Sequence, residues 1–340
     1  MIETRDGLSD SFAVREMQRT MPRSLSNHHR IERIAPGKTI SDVLRLIERF
    51  SRPSAFAHSL AYCQAVEEIC SIEVPRRAKA LRIIVSELER LRHHVTAIRI
   101  ICASTAVSPA ADRARNIERA LLRVSRMLTG HRHFLGLNAP GGLKRDFTPE
   151  AILEKLAGVS YDVRKDLKKL QFMLKFSSRF LEHLIGIGTV SSLQAANYGF
   201  VGPVARASGI PGDVRKTLPY SGYELIEFSV PTEAKGDGYA RLNVLFHEAD
   251  QSARIIQDTA MALPVGEVLS RSFKTVPGAS LGCVEAPGGA AFHWLTCGDD
   301  GRITGCHLTT PSFTNWQGFL MASKDASAEH LSIIKATFAE

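Results

Sequence analysis

The stretch "ERFSRPSAFAHSLAYCQAVEEICSIEVPRRAKALRIIVSELERL", residues 48–91, decides how the rest of the chain is read. Pro53 stands where a helix can begin, because the first-turn N–H that proline lacks has no intrahelical partner anyway. Beyond it Ala57, Leu60, Ala61, Ala65 and Val66 recur at three and four, a stripe of mostly small residues that lets a neighbouring element approach closely. The helix is expected to stop near "SIEVP", and Pro75 opens another that runs to about Ala103. Together with the other long helices of the chain, four or five in all, the pattern predicts an antiparallel bundle.

Working outward, "NHHRIERIAPGKT" (27–39) ends in a Pro-Gly turn, and Thr39 or Ser41 caps a helix through "DVLRLIERF" with Val43, Leu44, Ile47 and Phe50 on one side. "SPAADRARNIERALLRVSRMLTG" (108–130) is predicted to be helical, capped by Ser108 and ended by Gly130. "NAPGGLKRDFTPE" (138–150) reads as a loop, and residues 148–186 return to a helical pattern with an interruption around Gly158. After Gly188 the texture turns to Gly- and Pro-rich loops with short strand-like runs, "YELIEFSV" (223–230) and "AFHWLTCG" (291–298). One further helix, residues 236–263, rejoins the bundle. The expectation is a mainly α fold: a long antiparallel helix bundle over about 39–187 and 236–263, with a small α+β portion over about 189–235 and 264–340. Residues 1–28 form a polar, weakly periodic N-terminal segment apart from the unit at 29–340.

A chain of 340 residues with 44% hydrophobic content can bury a large core. The six cysteines are scattered without a C-x-x-C pair, which fits reduced thiols. No run of eighteen apolar residues and no charged-then-apolar leader occurs, so a cytoplasmic protein is expected. The net charge of +8 suits nucleic acid, an anionic membrane surface or an acidic partner subunit. Basic residues alternate with acidic ones along the helices, with no zinc-finger spacing and no P-loop, so no nucleic-acid partner is expected.

Six blocks, in order, carry a resemblance: "HRIERIAPGKT" (29–39), "FAHSLAYCQAVEEICSIEVPRRAKALRIIVSELERLRHHV" (56–95), "GLNAPGGLKRD" (136–146), "GFVGPVARASGIPGDVRKTLPY" (199–220), "KGDGYARLNVLFHEADQSARIIQ" (235–257) and "VEAPGGAAFHW" (284–294). Together they make the chain similar to the large-subunit family shared by nickel–iron hydrogenases and the forty-nine-kilodalton quinone-site subunit of respiratory complex I, and in particular to the membrane-bound, complex-I-related hydrogenases of the formate hydrogenlyase type. The resemblance implies a subunit of an NADH:quinone-oxidoreductase-like complex, peripheral on the inner face of the cell membrane. Its implied partners are an iron–sulfur small subunit of complex I type and membrane-arm subunits. It implies electron transport to a quinone-like acceptor, no cofactor bound directly by this chain, and the iron–sulfur cluster in the partner. A non-catalytic scaffold of such a complex is the alternative.

The family's hydrogen chemistry rests on four cysteines, since nickel and iron of this kind prefer thiolate sulfur. The first pair falls on Ser51 and Ser54; no D-P-C-x-x-C pair occurs in the 340 residues; and where hydrogenases carry an arginine in "EAPGG", Gly288 stands here. The resemblance therefore implies a retained fold with a degenerate nickel–iron site, no metal bound, and no hydrogenase activity. Arg49, Ser51, Ser54 and Gly288 become cavity-lining candidates. In the complex I branch the emptied cavity takes the quinone head group, and the tyrosine that contacts it matches Tyr62. Its partner histidine finds no match, because the segment before "HHRIER" lacks the H-x-x-x-H-G pattern.

Tyr62 is thus either a hydrogen-bond donor to a quinone carbonyl or a core tyrosine. His58 is either a second contact or a structural histidine. Arg206, in a Gly-flanked segment that lines the active site in relatives, completes the catalytic trio. Glu73 is the proton-transfer candidate, with solvent-facing capping as its other reading. Arg49 and Arg52 are expected to pair with Glu48 or Glu87 or to face a partner, and Asp213 with Arg215 to form a structural loop pair. Glu87 and Glu89 suit local ion pairs with Arg90, Arg92 and His93. The adjacent pairs His28–His29 and His93–His94, and His131 with His133, show no zinc spacing.

Overall fold

The computed structural model describes residues 30–147, 150–270 and 272–338, without the side chains of 150–152; the N-terminal segment 1–28 and the His28–His29 pair lie outside them. Thr39 caps α1 (Ile40–Phe50) through its hydroxyl, which accepts from the Asp42 N–H. A single 3₁₀ turn, Arg52–Ser54, then leads into α2 (Ala55–Ile69). Pro75 precedes α3 (Arg76–Ser104), and α4 (Ser108–Thr129) ends at Gly130, left-handed with φ 74°. Ser108 is the first helical residue and not the cap: Val107 holds that place without a side-chain bond, and Pro109 supplies the helical φ. The loop expected at 138–150 contains a two-residue hairpin, β1 (Asn138–Ala139) with β2 (Gly142–Leu143).

No break occurs at Gly158. α5 (Glu150–Lys175) runs through it, because Leu156, Val163, Leu167, Leu170 and Leu174 stay buried on one face across it. Short helices α6 (Ser178–Glu182), α7 (Ser192–Asn197), α8 (Gly202–Ala207) and α9 (Val214–Thr217) follow. "YELIEFSV" is not a strand: Tyr223–Leu225 make a 3₁₀ turn, and Tyr223 and Phe228 sink between Ile83 and Ile255 where no strand edge is offered. α10 (Gly238–Met261) returns to the bundle. α3 packs on α4 and α10, and α10 packs on α5, enclosing one large apolar core.

The C-terminal part is an antiparallel sheet of β3 (Gly278–Ala286), β4 (Gly289–Cys297) and β5 (Ile303–Thr309), followed by α11 (Pro311–Ala322) and α12 (Ala328–Thr337). One face of the sheet lies on α2. At Gly282 the approach is so close that a Cβ would stand 1.8 Å from the Ala61 carbonyl oxygen, so only glycine fits. A second core of Val43, Leu44, Ile47, Tyr62, Val66, Leu295 and Leu308 joins α1, α2 and the sheet. Among the described residues no helix is long and apolar enough to cross a membrane.

Candidate functional site

Ser51 and Ser54 bracket the turn between α1 and α2, and the Ser54 N–H donates to the Ser51 carbonyl at 3.2 Å. Arg49, in the last turn of α1, and Arg52, in the 3₁₀ turn, are exposed; the Arg49 charge still acts on the neighbouring Glu48 carboxyl, while Glu87 pairs elsewhere, with Arg215. Behind it α3 presents Glu89, whose two carboxylate oxygens accept from the Phe56 N–H at 2.8 Å and the Ala57 N–H at 2.9 Å. These are first-turn donors of α2 that have no helical partner, at the positive end of its dipole. Burial pushes Glu89 up to about 7, against the pull of Arg92 and of the two N–H groups. Arg92 donates to the Pro53 carbonyl at 3.0 Å and sits 3.2 Å from His133 Nδ1. Glu48 accepts from the Gly136 N–H at 2.9 Å. The turn is therefore fixed from α1, from α3 and from the 131–136 loop.

The donor set does not fit a soft metal pair, because two serine hydroxyls replace thiolates and Glu89 is committed to backbone N–H groups. Among the described residues no cluster of three or more His, Cys, Asp or Glu side chains could hold a metal ion.

One turn further along α2, His58 Nδ1 lies 3.0 Å from His293 Nε2 on β4, with the Phe50 ring 4.6 Å from His58. Both imidazoles are buried, and burial holds His58 down at about 3, so the pair is neutral with one ring donating to the other. Burial also lowers His293, assisted by His58. Tyr62, one more turn along the same face, is fully buried and donates its hydroxyl to the Ile40 carbonyl at 3.0 Å. Its phenol thus ties α2 to α1. Gly288 lies in the β3–β4 turn, where a Cβ would meet Pro311 at 3.2 Å. Glu73 sits exposed in the turn between α2 and α3, outside the bundle, and its carbonyl accepts from the Ser270 hydroxyl.

Arg206 belongs to a different place. It is fully buried on α8 and bonds Glu248 of α10 at 2.6 Å, Glu285 of β3 at 2.9 Å and the Gly212 carbonyl at 2.8 Å. Glu285 alternates with Val284 and Ala286 along β3, whereas His293 shares a face with Gly282, its register partner. Hence His58 and Tyr62 meet one face of the sheet, and Arg206 meets the other.

Around Arg206 a set of charges closes without solvent. Arg215 bonds Asp213 at 2.6 Å and Glu87 at 2.9 Å; Glu87 also accepts from Tyr223 at 2.5 Å and Ser252 at 2.6 Å and pairs with Arg90 at 3.4 Å. Arg90 donates to the carbonyls of Glu285 at 2.6 Å and Ala286 at 3.2 Å, and His94 meets Glu248 at 2.9 Å. Burial alone would raise every carboxyl, yet Arg206 and the His94 hydrogen bond bring Glu248 down to about 2. Arg215 likewise keeps Asp213 and Glu87 below the usual range. Glu285 goes the other way, raised by burial and by the neighbouring Asp213 charge. Three arginines thus face three firmly ionised carboxylates, and Glu285 is the member of the set that most readily holds a proton. Chemically this is a buried network of arginines and carboxylates in which Glu285 too is held, its two oxygens accepting from Arg206 and from the Val214 N–H at 3.0 Å.

The Asp213–Arg215 loop pair and the Glu87–Arg90 contact are the ones that local spacing suggests. Glu248, Glu285, His94, Tyr223, Ser252 and His293 escaped that reasoning. Their only sequence signal is a charged or polar residue inside an otherwise apolar run, as in "LFHEAD" and "GCVEAP".

Residues 106–278 match the family described as the respiratory-chain NADH dehydrogenase 49 Kd subunit. Formate hydrogenlyase subunit 5 of Escherichia coli (strain K12) is 29% identical over 291 residues, covering 85% of this chain and 51% of that protein, so the chain spans about half of that relative. The D-type subunit of NADH-quinone oxidoreductase from Carboxydothermus hydrogenoformans is 30% identical over 300 residues, 85% of this chain and 80% of that protein. Its counterpart from Geotalea uraniireducens is 28% identical over 353 residues, 94% and 89% of the two chains. The match at 106–278 takes in half of the chain, from α4 to the start of β3, and the alignment to the Carboxydothermus protein covers four-fifths of that relative, so the chain belongs to the family of the 49 kDa subunit of respiratory-chain NADH dehydrogenase.

Proposed function

We propose that this protein is the large subunit of a membrane-associated respiratory oxidoreductase complex related to complex I, without a nickel–iron site. It sits on an iron–sulfur small subunit and, through that, on membrane-arm subunits at the inner face of the cell membrane. The names of the relatives support the class of complex. The observation that carries the rest is the α1–α2 turn: Ser51 and Ser54 stand where thiolates are needed, while Arg49 and Arg52 are left exposed on a rigid base of Glu89, Arg92 and Glu48. Such a turn suits an acidic face of the small subunit. Electrons from that subunit's cluster would reduce a quinone-like acceptor held between the two chains, each quinone taking two electrons and two protons to become a quinol. Cationic side chains beside the acceptor stabilise its anionic half-reduced form.

A second reading, a non-catalytic scaffold, is favoured by one observation: Tyr62 and His58 already spend their polar atoms on Ile40 and His293. The test is purification of the complex from its native membranes with iron, nickel and quinone quantified in one sample, alongside the Tyr62→Phe and Arg49→Glu/Arg52→Glu chains. Iron and quinone without nickel, and quinone reduction in the wild-type complex, support the acceptor role. Iron with neither quinone nor acceptor activity establishes the scaffold. Stoichiometric nickel, or a small subunit that stays bound to the double arginine variant, overturns the proposal.

A further inference from the structure

α5 and the turn after it carry an outward face that the oxidoreductase reading leaves unused. At helical spacing Tyr161, Lys165, Lys168, Phe172 and Phe176 fall on one stripe, flanked by Lys169, Lys175 and Arg179. All eight are exposed. Tyr161 is 61%, Phe172 67% and Phe176 69% accessible, and the two phenylalanine rings stand 4.8 Å apart, packed on each other at the surface. Six cations and two carboxylates occur in 161–179. Arg164 turns away to Asp250 of α10, which also lies 4.0 Å from Lys168, and Asp166 lies 3.6 Å from Lys169. The opposite face, through Val163, Leu167, Leu170 and Leu174, is buried in the bundle. The stripe is therefore a fixed surface presented by a folded helix.

We infer that this face rests directly on an anionic phospholipid surface. An acidic protein would be attracted by the same charge, but the composition decides against it. Protein interfaces are depleted in lysine and favour arginine, whereas four of the flanking and central cations here are lysines, with three aromatic rings among them. Lysine around exposed aromatic rings is what the boundary between headgroups and acyl chains rewards: the rings enter the boundary and the long side chains reach the phosphates. The stripe from Tyr161 to Phe176 spans roughly 22 Å at the helical rise of about 1.5 Å per residue, enough for several headgroups. The inference does not depend on quinone chemistry or on the identity of the neighbouring subunits.

The test is flotation of the full chain with vesicles of phosphatidylcholine alone or with one-third phosphatidylglycerol. Binding is expected only with the anionic lipid and is expected to weaken steeply with salt. Lys165→Gln/Lys168→Gln/Lys169→Gln should reduce it on the order of a hundredfold, taking roughly fivefold per lysine near an anionic surface. Phe172→Ala/Phe176→Ala should abolish the part that survives high salt. Since all five side chains are exposed, both variants should keep the wild-type circular dichroism and unfolding midpoint. Lys235→Gln/Lys274→Gln/Lys324→Gln, equal in charge and exposed elsewhere, should bind as wild type. Equal flotation with both lipids, equal loss in the control triple, or lysine-dependent binding of duplex DNA without flotation would each overturn the inference.

Discussion

Arg206 holds two carboxylates in direct bonds, and a third, Asp213, stands 3.6 Å away, all out of reach of water. Arg206→Met leaves Glu248 and Glu285 buried without their cation, so the expected loss is roughly 3–5 kcal/mol in urea unfolding; a loss below about 1 kcal/mol would mean that water enters the cluster freely. His58 makes an opposite statement about pH. Its folded-state value of about 3 lies below the ordinary 6.5, so the folded chain binds fewer protons than the unfolded one between those limits. Its contribution is whole above pH 6.5 and is lost as pH falls toward 3. At pH 5 the loss is on the order of 2 kcal/mol from this group alone, and His58→Phe should flatten that part of a stability-against-pH curve. Glu89 has the reverse sign: raised to about 7, it weakens the fold as pH climbs from about 4.5 to 7, and Glu89→Gln should remove that slope. Local pairs such as Asp213–Arg215 were legible because both partners sit two residues apart. The partners of Arg206 were not, since they lie 42 and 79 residues away and only the fold brings them in.

Among the elements, the helices were readable because the chain punctuates them itself: Pro53 and Pro75 mark two starts and Gly130 closes α4, although α4 begins with Pro109 in its first turn and not with a Ser108 cap. "YELIEFSV" misled because alternation of apolar residues describes which side chains are buried and says nothing of a strand neighbour. Two glycines separate close contact from mere flexibility. Gly282→Ala drives a methyl into the Ala61 carbonyl, where backbone meets backbone and neither can retreat; about 3 kcal/mol or more should be lost, visible in soluble yield and urea midpoint. Gly158→Ala, exposed and with nothing within 4 Å, should gain roughly 0.5–1 kcal/mol in the same assay, because alanine loses less backbone freedom in a helix.

At the scale of the molecule the sheet and the bundle share one set of charges: α3, α8, α9, α10 and β3 each contribute a member. Unfolding followed by circular dichroism, which reports the helices, should therefore coincide with the fluorescence of Trp294 on β4 and Trp316 on α11; a separated fluorescence transition would show that the sheet melts independently. The mainly α plan with a small mixed C-terminal part was legible from the sequence, and so was the break between two helices that carries Ser51 and Ser54. The division of the expected trio across two faces of the sheet was not, because strand register is set by pairing between distant segments. That separation also fixes the order of events during synthesis. Arg90 must wait for the Glu285 carbonyl, 195 residues downstream, which at about 5–20 residues per second is roughly 10–40 s on the ribosome. Glu87 and His94 of α3 find Arg215 and Glu248 earlier, but until β3 emerges Arg90 lacks its two carbonyls and Arg206 lacks Glu285, so a chain that stops short of residue 285 leaves buried cations short of partners and is expected to become a client for chaperones or proteases.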